Sequence, residues 1–384
     1  MARYTFRELV VDSRTGLNPR KNFTLGNGSN YYITIKDIHD GKIVITEKTD
    51  RVNDDAIAII KKRSRIKNGD ILFTSIGRIG ETAIVTNKDD TWDVNESVFI
   101  FTLNTDIITQ EFFCALFQSK DIQDRLTRDS SGSTFKSIKM NQLEKMSFNI
   151  PDLDVQSRIV SELSKVDNLI VARKKQLTKL DELVKSRFIE LFVGKGYPTK
   201  TVDEVSLGKG EYGAQSASSA YDPTRPRYVR ITDINDDGTL NDDVVSSANF
   251  DDDEQYKLKY GDFMFARMGA TVGKTYAFIE GNQIFAGYLI RYRLNKGLIN
   301  PHYLFWYTKL DEYWNWVKLN QSGAAQPGIN AKKYGSLQIP LPPIEEQNAF
   351  AAFVEQTDKS KLAIQESLAE LETLKKALMQ KYFG

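Results

Sequence analysis

Apolar positions step by four and three along the closing stretch of each half of the chain. Ile159, Leu163, Val166, Ile170, Arg173, Leu177, Leu180, Val184, Arg187 and Leu191 make one series, broken only by the two arginines. Phe350, Val354, Thr357, Lys361, Ile364, Leu368, Leu371, Lys375, Leu378 and Tyr382 make a second, displaced by 191 positions. A seam sustained over more than four heptads predicts long helices in a coiled coil. Leu169, Leu183, Ile189, Leu362 and Leu374 lie off the strict seam. This apolar surplus predicts a second helical surface that docks a partner. Gly194-Lys195-Gly196-Tyr197-Pro198 ends the first helix, because Gly suits a helix C-terminus and Pro cannot continue it.

Ahead of each helix the pattern is mixed. Tyr31 to Ile38, Lys42 to Glu47 and Asp70 to Thr74 are rich in β-branched and aromatic residues, which predicts strands, with a turn at Asp40-Gly41. Gln110 to Leu126 carries Phe112, Phe113, Leu116, Phe117, Ile122 and Leu126 at helical spacing, and Pro301 to Leu319 occupies the matching place later. Each half is therefore an α+β unit followed by a long helix.

The halves also repeat in sequence. Tyr32-Ile33-Thr34-Ile35-Lys36-Asp37-Ile38 returns as Tyr228-Val229-Arg230-Ile231-Thr232-Asp233-Ile234, and Gly69-Asp70-Ile71-Leu72-Phe73 as Gly261-Asp262-Phe263-Met264-Phe265. Ser131-Gly132, Ile138, Pro151 and Gln156 return as Ser322-Gly323, Ile329, Pro342 and Gln347. A period of half the chain is too long for a solenoid. It predicts two homologous domains related by a pseudo-two-fold, in four segments: 1–150, a helix over 151–195, 196–341, and a helix over 342–384.

Bulk composition narrows the function. The chain has 384 residues, 41% hydrophobic and 27% charged, with no low-complexity tract. No apolar run reaches the ~20 residues of a membrane span, and the N-terminus carries no apolar secretory segment. The single cysteine, Cys114, excludes an internal disulfide and fits a reducing cytoplasm. With two histidines, His39 and His302, the chain lacks the side chains for a zinc cluster or a Ser/His/Asp set. There is no P-loop and no Asn-Pro-Pro-Tyr or Asp-Pro-Pro-Tyr methyltransferase segment. Glu182-Leu183-Val184-Lys185 looks like a nuclease end but lies on the heptads, so a surface helical pair is the expectation. Net charge is +1, so a nucleic-acid binder of this composition would have to segregate its cations into patches.

Two duplicated motifs carry a resemblance. One is the glycine-punctuated stretch Gly69-Asp70-Ile71-Leu72-Phe73-Thr74-Ser75-Ile76-Gly77-Arg78-Ile79-Gly80, matched by Gly261-Asp262 to Gly273-Lys274. The other is Pro342-Pro343-Ile344-Glu345-Glu346-Gln347 at the start of the last helix, degenerate as Pro151-Asp152-Leu153-Asp154-Val155-Gln156. With the duplicated layout, they resemble the specificity subunit of type I restriction–modification systems over the whole chain. The resemblance implies two α+β target-recognition domains, each reading one half of a bipartite asymmetric DNA site. It implies two spacer helices packed antiparallel as a coiled coil that sets the unread gap and docks partners. Those partners would be modification (methyltransferase) subunits, two of them, and restriction (motor–nuclease) subunits. The chain itself would be non-catalytic and without cofactor, and S-adenosylmethionine, ATP and Mg would belong to the partners. The first copy departs by one residue: Gly77 to Gly80 is shorter than Gly269 to Gly273.

Candidate DNA contacts follow. Ser75 and Arg78 in copy one, and Arg267, Thr271 and Lys274 in copy two, flank the glycine loops; Arg is the commonest specific base reader. The plainer reading is a hairpin with solvated tips. Ser130 to Lys136, with Ser133, Lys136 and then Lys139, and Gln321 to Gln326, with Gln326 and then Lys332, suit phosphate and base contact or form surface loops. Arg230 joins them from the repeated strand. Lys61 to Lys67 is a basic run, a phosphate candidate or a solvated face; its counterpart, Asp251-Asp252-Asp253-Glu254, is acidic. Gly208-Lys209-Gly210-Glu211-Tyr212-Gly213 fits G-x-G-x-x-G, but no helix follows, so it is not a dinucleotide site; with Arg225 and Arg227 it stays open as a DNA-proximal loop. Leu163, Ile170, Leu177, Val184, Leu368, Leu371 and Leu378 are the seam candidates. The alternative from another class is a duplicated scaffold that binds protein and lacks DNA specificity.

Overall fold

The computed structural model describes residues 1–19, 22–130, 136–249, 254–323 and 327–384. The chain packs as two compact units, residues 1–174 with 366–384, and residues 175–365. Compaction therefore cuts across the four segments: each unit takes one α+β domain with part of each long helix.

In the first unit an antiparallel sheet runs in the order Val10–Thr15, Val98–Leu103, Ile71–Thr74, Thr82–Ile84. In the second the order is Glu211–Tyr212, Leu289–Arg293, Asp262–Ala266, Thr275–Ala277. The repeated Tyr32 and Tyr228 segments lie in a second sheet of each unit, where Asn30–Ile33 runs parallel to Trp92–Val94 and Arg227–Val229 parallel to Gln283–Phe285. The first strand, Ala2–Thr5 or Thr199–Thr201, pairs with the last, Ser147–Ile150 or Gln338–Pro340. These short strands with internal helices bear out the α+β expectation.

Strands are shorter than their β-rich composition predicts. The first repeated strand stops at Ile33 because Asp37 turns back: its carboxylate accepts the Thr34 N–H at 2.8 Å and the Thr34 hydroxyl at 2.9 Å. Beyond it the strands expected as far as Glu47 shrink to a two-residue pair, Ile38–His39 against Lys42–Ile43. The helix expected over Gln110 to Leu126 is two, Gln110–Gln118 and Lys120–Asp129. Ser119 separates them in extended backbone, its hydroxyl donating to the Leu116 carbonyl at 2.7 Å. Pro301–Tyr307 and Asp311–Asn320 repeat the break.

The two motif glutamines hold these helices. Gln156 and Gln347 are fully buried. Gln156 Oε1 accepts the Thr109 N–H at 2.9 Å, and its Nε2 donates to the carbonyls of Ile107 (2.7 Å) and Pro151 (2.8 Å). Gln347 does the same for Asn300 (2.9 Å), Leu298 (3.1 Å) and Pro342 (2.8 Å). A buried amide must fill its hydrogen-bonding capacity, and these fasten the last strand, the long helix and the internal helix together.

The long helices are Leu153–Phe192 and Ile344–Phe383. In the first unit their partners run in opposite order: Tyr382 donates to Glu162, Lys375 pairs with Asp167 at 2.6 Å and Glu372 with Lys174 at 3.5 Å. In the second unit Lys361 pairs with Asp181 at 2.6 Å, and Phe350 lies against Phe188 and Phe192 at 5.3 and 5.6 Å between ring centroids. The pairing is antiparallel within each unit. The seam lysines are explained by these crossings, since each ammonium reaches a carboxylate on the facing helix. Burial opposes the charge of Lys361, yet its bonds to Asp181 and Asp358 carry its pKa above the ordinary value. Leu163, Ile170 and Val184 are buried, and Leu177, Leu368, Leu371 and Leu378 half-buried, as the seam predicts. One seam position is corrected: Arg187 is exposed beside Glu190 at 2.8 Å, and Phe188 and Phe192 enter the core instead. An α-helix turns every 3.6 residues rather than 3.5, so a strict heptad count drifts by one position over its length.

Candidate nucleic-acid interface

Each glycine loop begins where a central strand of the sheet ends, at Ser75 after Ile71–Thr74 and at Arg267 after Asp262–Ala266. The loops are pinned alike. Gly77 N–H donates to the Lys136 carbonyl at 3.0 Å, and Ile138 N–H to the Ser75 carbonyl at 2.8 Å. Gly269 N–H donates to the Pro327 carbonyl at 2.9 Å, and Ile329 N–H to the Arg267 carbonyl at 2.9 Å. The glycine loop and the chain that follows the polar segment, separate stretches in the sequence, are therefore bonded side by side in each unit.

The glycines serve backbone and packing. Gly77 and Gly80 take φ of 71° and 86°, Gly269 and Gly273 of 72° and 89°. A Cβ on Gly80 would stand 2.6 Å from Leu126, and one on Gly273 2.9 Å from Val317. The extra residue of the second loop is taken up in a 3-10 turn, Gly269–Thr271, and leaves the flanking geometry matched.

Several candidate side chains are spent inside the fold. Ser75 is corrected as a base contact: it is buried, and its hydroxyl donates to the Ser97 carbonyl at 2.7 Å. Arg230 folds onto buried Asp233 at 2.9 Å and donates to the Val244 carbonyl, so it closes a turn. Thr271 donates to the Met268 carbonyl at 3.2 Å. Arg78 donates to the carbonyls of Ile35 and Ile38 at 3.2 and 3.1 Å and pairs with Glu81 at 3.0 Å, its side chain still half exposed. Lys274 donates to the Ile234 carbonyl at 3.2 Å and pairs with Asp236 at 2.7 Å. Ile38 and Ile234 are the same position of the repeat. Arg78, which has no sequence counterpart, thus shares its work with Lys274: both tie the glycine loop to the repeated segment.

Lys136, Lys139 and Lys332 are exposed beside the joined loops, where cations can meet phosphates. Arg267 is half-buried with its guanidinium over the Tyr212 ring. Ser133 and Gln326 lie outside the described residues, as do Asp251, Asp252 and Asp253. The basic run ends the helix Asp54–Ser64, a site favoured for cations by the helix dipole. Lys61 pairs with Asp90 at 2.7 Å, Arg65 with Asp12 at 3.7 Å, and Arg63 donates to Thr15; Lys62 and Lys67 are exposed. In the Gly208 segment no helix follows, and Gly210 and Gly213 make room for Tyr292 and the Ala286 carbonyl. Arg227 pairs with Asp242 at 2.7 Å.

The off-seam residues Leu169, Leu183, Ile189, Leu362 and Leu374 are all exposed, with Val171 and Val193 beside them. Among the described residues no three His, Cys, Asp or Glu side chains gather to hold a metal ion, and no helix is long and apolar enough to cross a membrane.

Residues 9–182 and 200–374 each match the family described as the type I restriction modification DNA specificity domain. A type I restriction enzyme specificity subunit of Methanocaldococcus jannaschii, MjaX, itself provisionally assigned, is 26% identical over 97% of this chain and 90% of its own length. A chain solved in work on complex assembly and conformational transition of the type I R-M system covers all of this chain and 97% of its own, at TM-score 0.61 and 20% identity. The type I restriction–modification S subunit from M. genitalium matches all of this chain and 96% of its own at TM-score 0.57 and 15% identity, a likeness of fold.

Proposed function

The chain belongs to the type I restriction–modification DNA specificity family, with two copies of its domain, and from that premise we propose that each domain reads one half of a bipartite, asymmetric DNA site. The observation that supports this most is the bonded junction of each glycine loop with the chain around Lys136 to Ile138 or Pro327 to Ile329, built twice on one backbone plan but carrying different side chains. Arg267, Lys136, Lys139 and Lys332 are the DNA contacts we assign to it. Arg78 and Lys274 hold its loops in place.

The spacer helices set the length of unread DNA between the half-sites. Their exposed leucines and isoleucines dock two modification subunits, and restriction subunits join that assembly. Catalysis, with S-adenosylmethionine, ATP and Mg, belongs to those partners; this chain binds no cofactor and works in the cytoplasm.

Duplex-dependent, salt-sensitive binding separates this reading from a protein-binding scaffold, which would show neither. The helices are tested by inserting four residues after Gln176. The insertion adds about 6 Å of helix and nearly keeps the packed face. At ~3.4 Å per base step the unread gap should grow by about one or two base pairs while both half-sites keep their sequence. An active insertion variant with an unchanged gap would show that the helices do not set it.

A further inference from the structure

Of the cations around the glycine loops, Arg78, Arg230 and Lys274 are each held by a carboxylate. Arg267 is not: among the described residues it forms no ion pair. Its guanidinium carbon instead stands 4.8 Å from the centroid of the Tyr212 ring, and one N–H makes a long bond, 3.4 Å, to the Gly287 carbonyl. Tyr212 is 43% exposed, and its hydroxyl accepts the Ala331 N–H at 3.2 Å, which fixes the ring. Tyr288, 53% exposed, receives the Arg267 N–H on its carbonyl at 3.0 Å. A guanidinium stacked on a fixed ring loses rotamer freedom while its N–H edge stays open. That edge matches the O6 and N7 acceptors of guanine.

The same three places in the first unit hold short hydroxyl residues. Ser75 stands for Arg267, since both pass the N–H and the carbonyl to matching partners, and Ser97 stands for Tyr288. Thr15 stands for Tyr212, pairing with Phe99 where Tyr212 pairs with Ile290.

We propose that the second domain reads a guanine through Arg267, with Tyr212 as its positioning residue, and that the first domain has no counterpart of this contact. The inference rests on the DNA-reading function proposed above. The test uses the full chain co-expressed with its modification subunit and a pool of randomised duplexes, comparing wild type with R267A, Y212A and Y212F. Wild type should select sites with an invariant guanine at one position of one half-site. R267A should lose preference at that position alone, and bind the wild-type site roughly 5- to 150-fold more weakly. Y212A should loosen the same position, and Y212F, which keeps the ring, should restore it.

Equal weakening on every duplex in R267A would make Arg267 a phosphate contact and overturn the inference, as would unchanged selection. Y212A selecting like wild type would overturn the positioning role. A wild-type complex without any sequence preference would instead sink the underlying DNA-reading function.

Discussion

In the first domain the guanidinium facing buried Asp70 comes from Arg14, on the strand Val10–Thr15, at 2.9 Å. In the second, the one facing buried Asp262 comes from Arg291, on the neighbouring strand Leu289–Arg293, at 3.6 Å. The register places Arg14 opposite Ile100 and Arg291 opposite Glu211, so cation and neighbour have changed strands. The aspartate at the start of the central strand is common to both. What the fold requires there is a compensated charge, and either adjacent strand can supply it. Gln156 and Gln347, by contrast, repeat bond for bond. The two domains thus separate a fixed scaffold from positions free to vary, and the variable ones include Thr15, Ser75 and Ser97 against Tyr212, Arg267 and Tyr288.

The comparison breaks most visibly at the buried pairs. Asp70→Ala leaves buried Arg14 without its nearest carboxylate, with only the half-exposed Asp12 remaining at 3.2 Å, and should cost about 3–5 kcal/mol of stability. Asp262→Ala should cost less, because Asp262 stands farther from its arginine, 3.6 Å against 2.9 Å, and Glu211 holds Arg291 by two bonds where Asp12 reaches Arg14 by one contact. Thermal unfolding of the two variants would compare them, and a larger loss for Asp262→Ala would contradict the reading of these pairs.

Next come the glutamines. Each of Gln156→Ala and Gln347→Ala strands buried backbone groups and should cost about 1–3 kcal/mol. The two losses should agree within about half a kcal/mol if the scaffold is shared. Unequal losses would show that one domain leans on this junction more than the other.

Ser75→Ala removes one internal hydrogen bond, worth about 0.5–1.5 kcal/mol, and should leave the selected DNA sequence unchanged. Lys136→Ala should leave folding untouched. It should weaken binding to all duplexes alike and lower the salt slope by roughly one, read from binding at several salt concentrations.

Much of this was legible in the chain. The duplication, the α+β character, the long helices and the off-seam leucines follow from periodicity, because burial imposes that periodicity directly. The seam lysines looked like flaws since their partners, Asp167 and Asp181, lie on the other helix. Arg187 was misplaced by a heptad count that ignores helical drift. Ser75 and Arg230 read as DNA contacts because a hydroxyl or a guanidinium looks alike whether its partner is a base or the protein itself. For Arg230 a signal was present: Asp233, three residues on, is the spacing of a capped turn. Tyr212 was passed over inside the Gly208 segment, since its role appears only once the strand pairing brings it beneath Arg267. The equivalence of Arg78 and Lys274 was hidden by the one-residue difference in loop length.

The central claim is that one backbone plan, completed by different side chains, reads two different half-sites. Methylome sequencing of a strain carrying this chain with its modification and restriction subunits tests it most directly. The account predicts a bipartite motif with a fixed unread gap and two unlike halves. A palindromic motif, or one continuous undivided site, would contradict it.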